Sequence, residues 1–174
     1  MSSAVRMVAE LMVVAAVTAP KTKGQNYVVT GILEGPEVRR LAEAMAEYGE
    51  IIGAPKGWAR DAQNVAASES VVLIGIRDAA PAQLQCGACG SDVCITINTH
   101  EGEFRGPQCA MRMADLGIAV GSAAKTASLL NVDNRVMYRI GVGARRAHLM
   151  EADVVLGLPL SVSGKSIYFD RPAV

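Results

Sequence analysis

The sequence predicts an α/β fold built in layers, with a sheet flanked by helices. Two β-branched runs, at residues 27–33 and 70–76, have the composition of strands, and helical patterns lie before, between and after them. Of the 174 residues, 51% are hydrophobic and only 4% are aromatic, so we expect a core packed from small side chains. The chain has no repeat and no linker, which predicts one domain over residues 1–174.

The first helix is predicted over residues 2–18. Ser2 or Ser3 can cap its start, and Pro20 prevents its continuation. An apolar run within it resembles a signal peptide, but Glu10 lies beside that run and Pro20 would directly follow the cleavage site. We therefore expect an amphipathic helix of a cytoplasmic protein.

The next part of the chain predicts a strand, a helix and a second strand. Residues 27–33 form the first strand, and Pro36 then begins a helix at a position that favours proline. Residues 54–67 show no clear period and predict an irregular segment. Residues 70–76 are apolar at almost every position, which is typical of a central strand covered on both faces.

The last elements follow a cysteine-containing segment. A long helix is predicted from Gly106 to about Leu130, and a shorter one over residues 135–149. Two short strands are expected at residues 153–158 and 166–170. The sheet is expected to contain strands of mixed direction.

The balance of charge excludes some partners and favours self-association. Seventeen basic residues offset seventeen acidic ones, so neither a nucleic acid nor an acidic membrane surface is indicated. The apolar run near the N-terminus is too short to span a bilayer. A near-neutral, apolar chain tends to associate, and Gly117 and Gly121 leave one face of the long helix open to close approach. We expect a homodimer.

Every cysteine of the chain lies in one segment, residues 84–110, which is inserted between the second strand and the long helix. Cys86, Cys89, Cys94 and Cys109 follow the pattern C-x2-C-x4-C-x14-C. Four thiolates at this spacing suit a single tetrahedral or cubane metal centre. The spacing therefore predicts that these four residues bind a metal centre.

Three kinds of chemistry remain open for the cysteines. A structural zinc site normally uses two short-spaced pairs, whereas the second half here is C-x4-C and a distant single cysteine. An iron–sulfur loop wraps around a cubane, and small residues such as Gly87 and Gly90 let backbone amides approach its sulfides. Disulfide or thiol chemistry is disfavoured in a reducing cytoplasm. We predict a 4Fe–4S cluster, with a structural four-cysteine zinc site on an interaction domain as the alternative.

The cysteine segment CGACGSDVC, followed by Cys109, is similar to the segment CGxCGxxxC…C of corrinoid iron–sulfur proteins and electron-transport subunits. More broadly, the chain resembles uncharacterised ferredoxin-domain-containing proteins of anaerobic bacteria and archaea. The matching blocks are TAPKTKG (18–24), ARDAQNV (59–65), VVLIGI (71–76), CGACGSDVC (86–94), ADLGIAVGSA (114–123), VDNRVMY (132–138) and GLPLSVSGKSIYFDR (157–171). The resemblance implies one cluster-binding domain.

A second resemblance, to the flavin-dependent nitroreductase fold, involves the elements around the insert. The opening AAVTAPKTKGQNYVVTGI, the helix ADLGIAVGSAAKTASLLNV and the closing GLPL with Gly164-Lys165 carry it. It implies a nitroreductase-like sheet, with FMN at a dimer interface. The FMN candidates are Lys21, Lys23, Gly24 and Gln25 in the opening loop, and Lys165 and Arg171 in the tail.

Together these patterns predict an iron–sulfur electron-transfer protein whose electrons pass to a bound flavin or to a partner redox protein. An FMN-dependent, nitroreductase-like oxidoreductase is a further alternative. In that case the cofactors would carry the chemistry, while the protein would set their geometry and potential.

Overall fold

The computed structural model describes residues 3–95 and 100–169, apart from the side chain of Ser3. The helices described are α1 (Ser3–Thr18), α2 (Pro36–Ile51), α3 (Pro55–Ala66), α4 (Ala110–Leu129) and α5 (Tyr138–Arg146). The strands described are β1 (Val28–Glu34), β2 (Ser70–Ile76), β3 (His100–Glu101), β4 (Arg105–Gly106), β5 (Asp133–Asn134) and β6 (Val154–Ser161). None of the helices in these two ranges combines the length and the apolar character needed to cross a bilayer.

A four-stranded sheet in the order β1-β2-β6-β5 forms the centre of the fold. In the central strand β2, Ser70 pairs with Glu34 and Leu160, and Ile76 pairs with Val28 and Val154. Every residue of β2 is buried, which confirms the prediction of a central strand. All strand pairs in the described part of the chain are antiparallel, so the expectation of mixed strand directions was wrong.

Helices cover both faces of the sheet, which confirms the layered α/β prediction. The alternation of side chains along β2 divides its residues between two cores. Val72, Ile74 and Ile76 pack with α1 and α4, whereas Val71 and Leu73 pack with α2, α3 and α5. A strand that is apolar at consecutive positions can supply both cores, and this explains the unbroken apolar run of β2.

Helix α3 corrects the expectation of an irregular segment at residues 54–67. It begins with Pro55 in its first turn, where a missing N–H costs nothing. Trp58, Ala62 and Val65 recur at helical spacing and are buried against the sheet. The stripe is hard to recognise in the sequence because charged and polar residues separate its few apolar members.

The C-terminal segment corrects a second expectation, because residues 167–169 form a turn and not a strand. Tyr168 is only 2% exposed, and its hydroxyl lies 2.9 Å from Ser68 Oγ in a hydrogen bond. This segment therefore docks Tyr168 against the core, although its β-branched and aromatic composition resembles that of a strand. Asp170, the last residue of the expected strand, lies outside the described residues.

Candidate metal centre and neighbouring pockets

All four cysteines line one pocket, which we call the cysteine pocket. Its walls also include residues 81–85 and Ile95. Cys86 and Cys89 are exposed, Cys94 and Cys109 are partly buried, and all four are free thiols. Within residues 3–95 and 100–169, no three His, Cys, Asp or Glu side chains are close enough together to hold a metal ion. The fold thus brings the thiols to one pocket without gathering them into a coordination sphere.

The sign of the φ angle alternates along the backbone that leads into the cysteine pocket. Gln83, Gln85 and Gly87 have positive φ angles of 53°, 51° and 65°, and the residues between them do not. Gly90, with φ of 81°, closes a turn in which its N–H donates to Gly87 O at 2.9 Å. Successive N–H groups in such alternating conformations form concave anion-binding sites, including many that bind iron–sulfur clusters.

Cys109 stands at the N-terminus of α4 as its N-cap residue. Burial raises the pKa of its thiol, but the backbone amides of Ala82, Arg112 and Met111 and the charge of Arg112 lower it further than burial raises it. The resulting pKa lies below the ordinary value for a cysteine. The site favours the thiolate, which is the form that binds metals.

The loop between α1 and β1 contains four of the residues considered for flavin binding. Lys21 Nζ donates to Val17 O and Ala19 O, both at 2.6 Å, and to Ala16 O at 3.3 Å. Burial lowers the pKa of Lys21, and the nearby Asp115 partly opposes this. Lys21 therefore satisfies carbonyl groups at the end of α1.

The rest of this loop is joined to the cysteine pocket. Lys23 Nζ donates to Ala82 O, a wall of that pocket, at 3.3 Å. Gln25 Oε1 accepts a hydrogen bond from Arg112 Nη2. Gly24 has φ of 65° and open space where a side chain would begin. The flavin candidates of this loop and the metal candidates are therefore neighbours.

The tail candidates lie elsewhere. Lys165 follows β6 in a turn where Ser163 Oγ donates to Lys165 O at 2.6 Å. Because β6 ends beside the start of β2, this turn and the α1–β1 loop lie at opposite ends of the sheet. A seven-residue strand such as β2 spans about 20 Å, so one protomer does not bring Lys165 to Lys21 and Lys23. Arg171 lies outside the described residues.

A second pocket, which the sequence did not suggest, is lined by Arg60, Asp61 and residues 135–139. We call it the arginine pocket. Arg60 Nη2 donates to Asp61 Oδ1 at 2.8 Å, and Arg139 Nη1 donates to Asp61 Oδ2 at 2.6 Å. Arg135 Nη1 donates to Tyr168 O at 3.4 Å, in the segment that follows Lys165. Three guanidinium groups and one carboxylate thus line the pocket, and its lining carries a net positive charge.

Buried polar atoms support this description of the arginine pocket. The side chain of Asp61 is only 6% exposed, and both of its oxygens are occupied by arginines. Arg139 lies over the ring of Trp58 at 5.4 Å, and its buried Nε has no hydrogen-bond partner. The scattered arginines in the sequence gave no motif, because they meet only when α3 packs beside the start of α5.

The hairpin β3–β4, between the third and fourth cysteines, is tied to the main sheet. Arg105 Nη1 donates to Asp153 Oδ1 at 3.1 Å, and Asp153 Oδ2 accepts from Asp78 N at 2.8 Å. Arg145 Nη2 donates to Glu101 Oε1 at 2.5 Å. These contacts fix the chain that leads to Cys109 against the sheet.

An apolar surface lies across α1 and α4, which pack against each other on one face of the sheet. Its exposed apolar side chains are Met7, Leu11, Val14 and Val17 on α1, with Met113 and Ile118 on α4. A Cβ atom added at Gly117 or Gly121 would meet nothing within 4 Å. We call this surface the α1/α4 face.

Sequence comparison finds relatives over nearly the whole chain. Residues 105–171 match a family described as "Uncharacterized protein containing a ferredoxin domain", a region that includes Cys109 but not the other three cysteines. A protein of Archaeoglobus fulgidus, described as an uncharacterized protein, is 43% identical over 170 residues, which cover 96% of this chain and 91% of that protein.

Comparison with solved structures identifies the fold. A nitroreductase with bound FMN from Desulfitobacterium hafniense superposes with a TM-score of 0.62 at 14% identity, covering 100% of this chain and 84% of that one. A BluB-like flavoprotein from Clostridium difficile gives 0.61 at 12% identity, covering 100% and 85%. The FMN-dependent nitroreductase NfnB from Mycobacterium smegmatis, in complex with NADPH, gives 0.58 at 12% identity, covering 97% and 84%. The prediction of a nitroreductase-like fold is confirmed.

Proposed function

The chain belongs to the ferredoxin-domain family, and from this premise we propose that it binds one 4Fe–4S cluster through Cys86, Cys89, Cys94 and Cys109 and acts in electron transfer. The observation that carries the proposal is the convergence of all four thiols on one pocket. Residues 84–110 then act as a cluster-binding insert within a single domain of residues 1–174.

The donor groups present fit such a cluster. Thiolates are the ligands of 4Fe–4S centres, and the amides around Cys109 favour its thiolate form. The alternating backbone of Gln83, Gln85 and Gly87 offers N–H groups to anionic sulfides. Backbone N–H groups can also donate to zinc-bound thiolates, so the preference for the cubane over zinc rests on the C-x2-C-x4-C-x14-C spacing, which lacks the two short-spaced pairs of a structural zinc site. Thiolate ligation also suits the reducing environment of the cytoplasm, where we place the protein.

When bound, the cluster would supply one-electron oxidation and reduction. Cys86 and Cys89 are exposed, so they would lie at the edge nearest to a partner. Cys109 lies at the inner side, beside α4 and the α1–β1 loop. The protein's own contribution is to hold the four sulfurs, to aim backbone amides at the site and to leave one side open to a partner redox protein.

Anaerobic purification with metal and sulfide analysis tests this proposal. We expect a brown protein with broad absorption near ~400 nm and about four iron and four sulfide per chain. A colourless protein that contains one zinc per chain would instead establish the structural zinc site. A protein that binds neither metal after reconstitution would refute both.

Flavin binding is the second candidate, and the arginine pocket is the observation that favours it. The solved structures with this fold include a nitroreductase with bound FMN. The phosphate of FMN carries negative charge, and guanidinium groups bind phosphate through paired hydrogen bonds. Arg60, Arg135 and Arg139 supply such groups, and Lys165 lies three residues before Tyr168, whose carbonyl accepts a hydrogen bond from Arg135.

In this second proposal the α1–β1 loop, with Lys21, Lys23, Gly24 and Gln25, would reach the flavin only from another copy of the chain. The α1/α4 face provides a surface for a homodimer, because two copies related by a two-fold axis bury the same patch. FMN titration monitored by flavin fluorescence tests the binding. Dissociation constants well above ~10 µM would count against a pre-formed flavin site.

Sedimentation of the purified protein tests the dimer. We expect the wild-type chain to sediment as a dimer and the variant Leu11→Glu, which places a charge on the α1/α4 face, to sediment as a monomer. The variant Glu43→Leu, on exposed α2, is the matched control and is expected to leave the dimer intact. A monomeric wild-type chain at micromolar concentration would refute the homodimer.

A further inference from the structure

Arg112 stands out because its charge is buried beside the cysteine pocket. It is only 1% exposed, and among residues 3–95 and 100–169 it is the one basic residue that falls in the buried class. Transferring a guanidinium from water into a protein interior is costly, and a buried ion pair often stabilises less than apolar packing would. Its presence therefore calls for a reason other than stability.

The guanidinium of Arg112 joins three segments of the chain. Nε donates to Ala80 O at 2.8 Å, in the segment that leads from β2 into the cysteine pocket. Nη1 donates to Thr22 O at 3.0 Å, and Nη2 donates to Gln25 Oε1, both in the α1–β1 loop. Cys109, the N-cap residue of the same helix, lies three residues earlier in the chain.

Two further contacts fix the orientation of this group. Asp115 Oδ2 accepts from Arg112 Nη1 at 3.2 Å, and Asp115 Oδ1 accepts from Thr22 N and Oγ1 at 2.7 and 2.8 Å. The ring of Tyr27 faces the guanidinium at 4.7 Å. Arg112 thus contacts the segment that leads into the cysteine pocket through Ala80 O, whereas the second carboxylate oxygen of Asp115 accepts from Thr22 in the α1–β1 loop.

We propose that Arg112 is a positioning residue of the metal centre. It holds Cys109 against the segment of residues 80–82, and its buried charge raises the reduction potential of the cluster. The inference rests on the proposed cluster function. A positive charge near an iron–sulfur centre favours the form with the additional electron, and net charge and hydrogen bonding are the means by which a protein sets this potential.

The full-length variants Arg112→Lys and Arg112→Met separate the two roles. Lysine keeps the charge but loses the planar set of donors, so Arg112→Lys should weaken Co²⁺ binding to the thiols of the apo-protein while nearly keeping the reduction potential. Methionine loses both, so Arg112→Met should weaken Co²⁺ binding by roughly tenfold or more and shift the potential of the reconstituted cluster to more negative values.

Removing the negative charge of Asp115 should shift the reduction potential in the opposite direction. Asp115→Asn keeps the hydrogen bond to Thr22 possible but removes the negative charge, so the potential should shift to more positive values. If Arg112→Met does not fold, the two other variants still decide the question. The potential of Asp115→Asn should be more positive than that of wild type, and the potential of Arg112→Lys should be nearly unshifted.

Leu41→Ala is the control for a general loss of stability, because Leu41 is fully buried in the core with α2, α3 and α5. It should lower the thermal midpoint while leaving Co²⁺ affinity and potential unchanged. The inference would be overturned if Asp115→Asn had the same potential as wild type. It would also be overturned if Leu41→Ala lost as much Co²⁺ affinity as the Arg112 variants. A wild-type protein that binds neither Co²⁺ nor a cluster would instead refute the proposed function itself.

Discussion

The cysteine pocket and the arginine pocket use opposite chemistry on the same scaffold. The first presents soft thiol sulfurs and backbone amides, with Cys86 and Cys89 exposed to solvent. The second presents three guanidinium groups and one buried carboxylate, which pairs with two of them. The cysteine pocket lies at the start of α4, whereas the arginine pocket is formed by α3 and the segment that leads into α5.

The difference between the pockets assigns different tasks to them. Thiolates bind a metal centre, which exchanges single electrons, whereas guanidinium groups hold an anion without changing its chemistry. The two pockets share no lining residue, so we expect them to respond to substitution largely independently. The following four predictions test that independence, beginning with the largest expected effect.

Replacing a single thiol should abolish the metal centre. In Cys94→Ser, absorption near ~400 nm and bound iron should fall to background, because serine is a poor ligand for iron–sulfur clusters. FMN affinity should not change. The control is Ser91→Ala, which alters the wall of the same pocket without removing a thiol and should keep the cluster. Retention of a full cluster in Cys94→Ser would contradict the assignment of this residue.

Removing the aromatic support of the arginine pocket should cost the most folding stability. Trp58 is 1% exposed, and its ring meets Tyr48 edge-on at 5.0 Å. Trp58→Ala should lower the free energy of unfolding by about 3–5 kcal/mol, as measured by urea titration. At temperatures where the variant is folded, its cluster spectrum should match wild type. A changed spectrum would show that the two pockets are coupled.

Neutralising one arginine should weaken flavin binding alone. Arg135→Gln removes a charge-assisted donor, so the dissociation constant for FMN should rise roughly tenfold or more in a fluorescence titration. Arg39→Gln, on an exposed position of α2, is the matched control and should bind FMN as wild type does. If both variants bind equally well, the flavin does not occupy the arginine pocket.

The smallest effect concerns the hairpin that leads to Cys109. Hydrogen bonds from Arg105 and Arg145 lower the pKa of Glu101 below its ordinary value. Because the folded pKa is depressed, the stabilising contribution is present above the ordinary pKa of a glutamate and is lost as pH falls through the folded value. The stability difference between wild type and Glu101→Gln, measured by urea titration, should therefore be small at neutral pH and should disappear in acid. A difference that grows in acid would contradict this account.

Periodic and spacing patterns allowed much of the fold to be predicted. The run of consecutive apolar residues in β2 indicated a central strand, and the proline at the start of α2 located that helix. Helix α3 was missed because its buried stripe is sparse, and residues 166–169 were misassigned because aromatic composition is shared by strands and docked turns. Strand direction was also misjudged, because the direction depends on chain crossovers, which composition does not report.

The candidate sites divide in the same way. Cysteine spacing directed attention to Cys86, Cys89, Cys94 and Cys109, and these do line one pocket. No sequence pattern singled out Arg112 or Asp115, although both are buried. Their three-residue spacing on an otherwise apolar helix was the available signal.

The sequence by itself determined the local features of this protein: which residues are thiols, how closely they follow one another, and which segments have strand or helix periodicity. Only the tertiary structure decided that Arg60 and Asp61 meet Arg135 and Arg139, and that Lys165 is far from Lys21 within one protomer. The reason is physical. Spacing within a segment is fixed by covalent geometry, whereas contacts between distant segments depend on how antiparallel strands and packed helices return the chain upon itself.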